Sequence, residues 1–424
     1  MMTPLQPSQS ATADPQLPDV PCRVNDFGLV GIPDHYQMNE FWDACQTWLA
    51  DRGIHLYERR LEDPRQQSMP RYWTSPPFSN TASLPYGSLI DGQEEREHRS
   101  RILYAGTRLA YAQDTTKRDL IIKLVDNGSV EHETYQLLLQ DMSVFNDTAE
   151  FPCVLPALDI LSTPYEYSFV VMPMWGSPVH LDDLETVEEV LRFIKCSLRY
   201  LHRHRIAHRD LCENNIVVNG YSPSVKGEEF ADRLREYRRH NETFYALIDY
   251  DQSLILPPNV SLRDCRRPAA EAWIGANPFK PSDINLGQPH YNPFAYDVAA
   301  LGLLFRYYFA EAVPALPGLA ALFDRMTDHS PSRRLTAEEA LVFLDELTMT
   351  KPLETLKMHL VMKPSAEAMI LTDTYWNKLS PEEQLLWGKY RTPSRSLLAR
   401  VLDWVTDYPI GWTIVCFVRR ALQI

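Results

Sequence analysis

The sequence predicts an α+β fold in which short strands gather before residue 173 and helices dominate after it. Two observations carry this expectation. Apolar runs of strand length, Leu120–Val125 and Tyr167–Met172, are bounded by polar turns. Further on, Val187, Val190, Leu191, Ile194, Leu198 and Leu201 recur at steps of three and four, and a helical pattern returns from Asp297 to about Leu347. Thr186 with Glu189, and Thr336 with Glu339, have the spacing of reciprocal helix caps just where these patterns begin. At 424 residues, and at roughly 150 residues per domain, the chain has room for two or three units.

Taken in order, residues 1–35 read as a disordered leader rich in Pro, Ser and Gln, with no apolar core for a signal peptide. Phe41 to Gly53 is predicted as a helix whose Phe41, Trp42, Cys45, Trp48 and Leu49 share one face and whose end is set by Gly53. Residues 63–100, dense in Pro, Ser and charge, read as a loop excursion. Strands are expected over Ile102–Ala112 and Leu120–Val125 across the turn 114–119, then a helix over Glu131–Gln140, then strands over Val154–Ile160 and Tyr167–Met172. A charged helix is expected over Glu228–His240, with Phe230, Leu234 and Tyr237 as its apolar stripe. Near the C-terminus Leu397, Val401, Trp404 and Val405 mark an amphipathic helix whose expected fate is packing on the preceding helical region.

Composition narrows the function classes. A net charge of −14 argues against nucleic acid as a main partner, because phosphate backbones select basic faces. The longest uncharged apolar stretch, Pro409–Val418, is about half of the ~20 residues a membrane-spanning helix needs. Seven scattered cysteines without a C-x-x-C pair suggest a reduced, intracellular and cytoplasmic chain with no zinc framework.

The chemistry is concentrated in two short stretches. Residues 208–215 read His-Arg-Asp-Leu-Cys-Glu-Asn-Asn between a helix and the apolar run Ile216–Val218. Asp210 and Asn215 therefore share one loop. Asp249 follows a second apolar strand, in Leu247-Ile248-Asp249-Tyr250-Asp251. Asp and Asn also favour ordinary turns, but phosphoryl transfer needs this combination of a carboxylate for the acceptor's proton and oxygen ligands for Mg²⁺.

The pattern H-R-D-L-x-x-x-N resembles the catalytic loop of the protein kinases. Asp297-Val298-Ala299-Ala300-Leu301-Gly302 and Ser330-Pro331-Ser332-Arg333-Arg334 resemble two further segments of that family, so the resemblance covers roughly residues 100 to 347. It implies a bilobal fold, with a small β-rich N-lobe and a mostly helical C-lobe. The chain then divides into the leader, an N-terminal extension with the N-lobe (36–172), the C-lobe (173–348) with an inserted helix near 226–240, and a helical tail (349–424). A narrower resemblance is to the divergent kinases expanded in fungi.

The resemblance also assigns roles, with ATP and Mg²⁺ as cofactors and a protein as substrate. Asp210 would take the hydroxyl proton, while Asn215 and Asp249 would hold the metal. Lys123, at the end of Leu120-Ile121-Ile122-Lys123, would lie over the α- and β-phosphates. A lysine closing an apolar strand commonly only reaches for solvent; here an acidic helix follows. Glu133 is chosen as its partner, because Leu137 and Leu138 follow at packing positions, with Glu131 as the alternate. Met172–Trp175 would form the adenine-facing linker, with Met174 rather than the donor-less Pro173 supplying an N–H. Arg209 would meet a phosphorylated segment, and the aspartate of Asp297–Gly302 would brace the catalytic loop.

The departures are equally plain. No G-x-G-x-x-G precedes Lys123; Gly106 falls where its last glycine would be, and Gly87 and Gly92 are remote. Asp251 replaces the glycine of D-F-G, and Cys212 replaces a lysine common in Ser/Thr kinases. The gap from Asn215 to Asp249 is long, and Asp283 is offered as the partner of Arg334. Ile248-Asp249-Tyr250-Asp251 also resembles small-molecule kinases of the choline or aminoglycoside kind, and the missing glycine loop allows a pseudokinase acting as a binding module.

Overall fold

The structure is a computed structural model that describes residues 17–19, 35–60, 71–73, 83–90, 108–148, 151–176, 181, 184–195, 199–221, 227–240, 243–274, 277–349, 351–406 and 408–422. Most of the 1–35 leader and Gly106 lie outside these residues. The N-terminal part is one antiparallel five-stranded sheet, in the spatial order Ile54–Leu56, Leu109–Asp114, Asp119–Asp126, Tyr167–Pro173, Asp159–Ser162. Helices dominate the rest of the chain. An N-terminal antiparallel sheet is thus followed by a largely helical region.

Side-chain alternation in the sheet decides which face meets the site. Leu120, Ile122 and Leu124 point to one side, where they are buried with Phe169 and Val171. The helix His35–Ala50 covers that side with Met38, Phe41, Trp42, Cys45, Trp48 and Leu49, the face read from the sequence plus one earlier turn. Leu17 joins the same cluster, and Tyr165 and Tyr167 donate their hydroxyls to the carbonyls of Leu17 and Pro18. Ile121 and Val125 face the other way, into the main core, and Lys123 shares their parity. Lys123 is therefore aimed between the two parts of the molecule.

The expected strand Val154–Ile160 is corrected to Asp159–Ser162. Pro156 interrupts the run, and residues 153–155 instead bond to Leu247, with Leu155 N–H donating to its carbonyl. Cys153 is disulfide-bonded to a cysteine outside the described residues, so the reading of a wholly reduced chain is not met. No helix among the described residues is long and apolar enough to cross a membrane.

At the centre of the helical part lies Pro293–Phe309. Apolar almost all round, it is buried along nearly its whole length, as such a pattern requires. Asn292 caps it, accepting from the N–H groups of Phe294 and Ala295, with Pro293 at the first helical position. The charged helix is present as Gly227–His240 and anchors through Leu234. Both caps read from the sequence form: Thr186 accepts from Glu189 N–H, and Thr336 and Glu339 close a full capping box. Two terminal helices, Leu397–Thr406 and Pro409–Leu422, pack on each other and on the turn Ser282–Leu286.

Candidate active site

Lys123 Nζ donates to Glu131 Oε1 at 2.5 Å and to Asp249 Oδ1 at 2.6 Å, uniting three residues from separate elements. The helix Val130–Gln140 presents Glu131 because Ser129 caps it, and Glu131, Thr134, Tyr135 and Leu138 then line its buried face. Glu133 points away and is exposed. The choice of Glu133 is therefore corrected to Glu131: the face is set by Tyr135 and Leu138, not by Leu137.

Burial opposes the charge on Lys123, yet Glu131 and Asp249 outweigh it and hold the ammonium well above its ordinary range. Burial also pushes the Glu131 carboxyl up, and the lysine offsets this only in part. At Asp249, burial would raise the carboxyl, but Lys123 overcomes it and holds the group below the usual range. The cluster thus keeps a cation and at least one anion ionised in a nearly closed setting.

Below it, the loop 208–215 hangs from Asp297, which is fully buried. Asp297 accepts from His208 N–H and Arg209 N–H, both at 2.7 Å, and from His202 Nε2 at 3.2 Å. His208 Nε2 donates to the Ile248 carbonyl at 3.0 Å, tying the loop to the residue before Asp249. Tyr250, fully buried, packs edge-on against Tyr135 and lies against His208, joining the Glu131 helix to the loop. Arg209 and Asp249 both hold positive φ, +69° in each case, a cost carried where backbone direction matters.

Asn215 Nδ2 donates to the Asp210 carbonyl at 2.8 Å and to Asp210 Oδ2 at 3.1 Å. This leaves the Asn215 side-chain oxygen for a ligand. Asp210 Oδ1 is buried with no partner among the described residues, and burial raises the Asp210 carboxyl above its ordinary value. The Asp283–Arg334 ion pair forms, deeply buried on the arginine side.

Comparison with known proteins follows the geometry. No family model matches the chain. A stretch of 126 residues is 24% identical to the sporulation protein kinase mde3 of Schizosaccharomyces pombe, covering 27% of this chain and 22% of that protein. The chain is a divergent, distant relative of the protein kinases. It spans about a fifth of the length of the curated relative it matches. Among solved structures, a chain of the yeast RNA Pol II CTD kinase CTDK-1 complex aligns with a TM-score of 0.38 and 14% identity, covering 62% of this chain and 95% of that chain.

The kinase-like linker corrects a second expectation. Met174 N–H is spent on the Asp119 carbonyl at 3.1 Å, and Gly176 N–H on Val218, so neither faces a nucleotide. Successive amides of an extended chain alternate, which leaves Trp175 N–H as the one turned the other way. Met172 is buried in the sheet opposite Ile121. Gly106, the candidate loop glycine, lies outside the described residues. Sequence reading noted the missing glycine loop and an excursion over 63–100 but did not connect them: residues 57–108 stand between the first two strands of the sheet. Part of this excursion returns to the linker and to the segment after residue 218: Trp175 Nε1 donates to the Pro85 carbonyl, while Ser88 N–H donates to the Asn219 carbonyl and Ile90 N–H to the Tyr221 carbonyl.

Proposed function

We propose that this chain is a protein kinase that transfers the γ-phosphoryl group of MgATP to a protein hydroxyl, Ser/Thr in preference to Tyr. The observation that carries this reading is the meeting of Lys123, Glu131 and Asp249 directly above the Asp210–Asn215 loop. The Asn215 side-chain oxygen and the second Asp249 oxygen are hard donors of the kind Mg²⁺ takes, and these two residues would hold it. Bound there, the metal would neutralise charge on the phosphates. Lys123, kept in place by Glu131, orients the α- and β-phosphates. Trp175 N–H and the Pro173 carbonyl border the adenine. Asp210 Oδ1, unpaired and with its carboxyl raised by burial, receives the proton of the acceptor hydroxyl, and a base closer to working pH does this better.

A second reading, a binding module without transfer, has one observation in its favour: an excursion replaces the loop whose backbone N–H groups would close over phosphates. Thermal shift with ATP and Mg²⁺ tests binding, since a ligand at 100 times its Kd stabilises by ~2.7 kcal/mol. Radiolabel transfer from ATP to a mixed protein pool, set against choline and aminoglycosides, tests the acceptor class. Protein labelling is the expected result. Nucleotide binding without any transfer would establish the binding module, and labelling confined to the small alcohols would overturn the protein acceptor.

A further inference from the structure

The segment 249–283 runs from the Asp249 of the site to the Asp283 paired with Arg334, and its middle is held by one carboxylate. Arg209 Nη1 donates to Glu271 Oε2 at 2.8 Å, while Arg267 grips both oxygens, at 3.0 Å to Oε2 and 2.7 Å to Oε1. Arg209 is the residue beside Asp210, its side chain is nearly buried, and its backbone is fixed by Asp297. A force applied to its guanidinium therefore reaches the catalytic loop directly.

Segments of this kind are commonly ordered when a phosphate is added opposite an arginine, forming new charge-assisted hydrogen bonds. Here the stretch that faces the two arginines offers no hydroxyl for such an addition. Between Arg263 and Pro281 the sequence contains no Ser, Thr or Tyr. Of the hydroxyls elsewhere in the segment, Ser253 and Tyr250 are buried, and Ser261 accepts from Arg263 N–H as a turn cap. Ser282 stands beside the Asp283–Arg334 pair at the segment's far end. The two arginines offset the effect of burial on Glu271 and hold it below the ordinary glutamate range, so the clamp stays charged through neutral pH.

We propose that Glu271 is a built-in positioning residue, clamped by Arg209 and Arg267, that keeps the 249–283 segment in its working conformation without phosphorylation. This rests on the kinase reading above and deepens it: the site needs no upstream kinase acting on this segment.

The test uses the full chain, with phosphorylation state read by intact mass before and after phosphatase. Hydrogen exchange of the amides around 262–274 is followed in the parent, in Glu271→Gln and in Glu271→Asp. Phosphatase should leave the parental transfer rate unchanged. Glu271→Gln should speed exchange around 262–274, leave the sheet amides of Tyr167–Pro173 protected, and lower kcat about 10- to 100-fold with little change in the KM for ATP. Glu271→Asp, which keeps the charge, should keep the parental exchange pattern around 262–274. Loss of transfer on phosphatase treatment, or Glu271→Gln matching the parent in exchange, would overturn the proposal. If the parent transfers nothing, the kinase reading fails by its own test, while the exchange comparison still decides whether Glu271 holds the segment. General loss of protection in Glu271→Gln is resolved by Glu271→Asp, whose parental exchange pattern would support the clamp and whose own local loosening would refute a role for charge alone.

Discussion

The floor of the cleft and its roof secure their positions by different means. Below, buried charge holds the loop: Asp297 accepts three hydrogen bonds from His202, His208 and Arg209, and Arg334 meets Asp283. Each contact needs a particular side chain, so the residues stand in the sequence as motifs. Above, the described part of the excursion 57–108 docks largely through backbone, by the Ser88 and Ile90 N–H groups on Asn219 and Tyr221 and by the Pro85 carbonyl that the Trp175 indole meets. Backbone contacts constrain residue type only weakly, and the roof therefore left no signature of the kind the floor carries. The lesson is that the loop's placement is written in particular side chains, while the excursion's is written mostly in main-chain contacts.

The comparison breaks most visibly at Asp210. Asp210→Asn should reduce transfer about 10²- to 10⁴-fold, the usual worth of a positioned base, while the thermal shift with MgATP stays near the parental value. Parental transfer in this variant would remove Asp210 from the chemistry.

Lys123→Met probes the point where roof and floor meet. Stripping the ammonium leaves two carboxylates in a buried setting and should cost about 3 kcal/mol at pH 7. Its pH dependence has a definite sign. In the parent, Asp249 is depressed, so its contribution is present above the unfolded value of about 3.9 and is lost as pH falls through its lower native value. Without Lys123 burial dominates, both carboxyls rise, and a raised acid stabilises the fold most when protonated. The stability gap to the parent should therefore narrow as pH drops from 7 towards 4.5. Melting temperatures across that range check this; a constant gap would mean that the three groups are not electrostatically coupled.

Asp297→Asn tests the floor alone. An amide cannot accept as a carboxylate does from three donors, and the loss should be about 2 kcal/mol, visible in urea unfolding, together with slower transfer. The sheet should be undisturbed, as read by exchange of its amides.

How much was legible follows the same division. Asp210, Asn215 and Asp249 could be read as one set because the phosphoryl transfer proposed above would restrict both residue type and spacing, and the structure brings Asp249 to Lys123 and Asn215 to Asp210. The bracing by Asp297 and the Asp283–Arg334 pair followed from the neighbouring segments. Glu133 was chosen over Glu131 because the helix face was judged from Leu137 and Leu138; the Ser129 cap with Thr134, Tyr135 and Leu138 gives the phase correctly. Met174 was chosen over the donor-less Pro173, and Trp175 was not singled out, because hydrogen bonding between Asp119 and the linker is invisible without the register of the Asp119–Asp126 strand. The excursion was read over 63–100 as a loop, most of which lies outside the described residues; where residues 83–90 dock depends mainly on backbone pairing that residue types do not announce.

Gly87→Ala tests that roof with the smallest perturbation. A Cβ at Gly87 would lie 2.4 Å from the Met174 carbonyl oxygen, with the Asn219 carbonyl oxygen at 3.2 Å. Both are backbone atoms, so the excursion itself must shift, at a cost of about 1–2 kcal/mol by the usual penalty for overpacking. If the excursion yields and the Met174–Trp175 peptide keeps its place, nucleotide affinity should change by less than about threefold, because the floor and Lys123 are untouched. Melting temperature and ATP titration on the same sample separate the two effects. A fall in affinity much larger than the fall in stability would show instead that residues 83–90 set the position of the adenine-facing backbone, making the excursion a working part of the nucleotide site and not merely its cover.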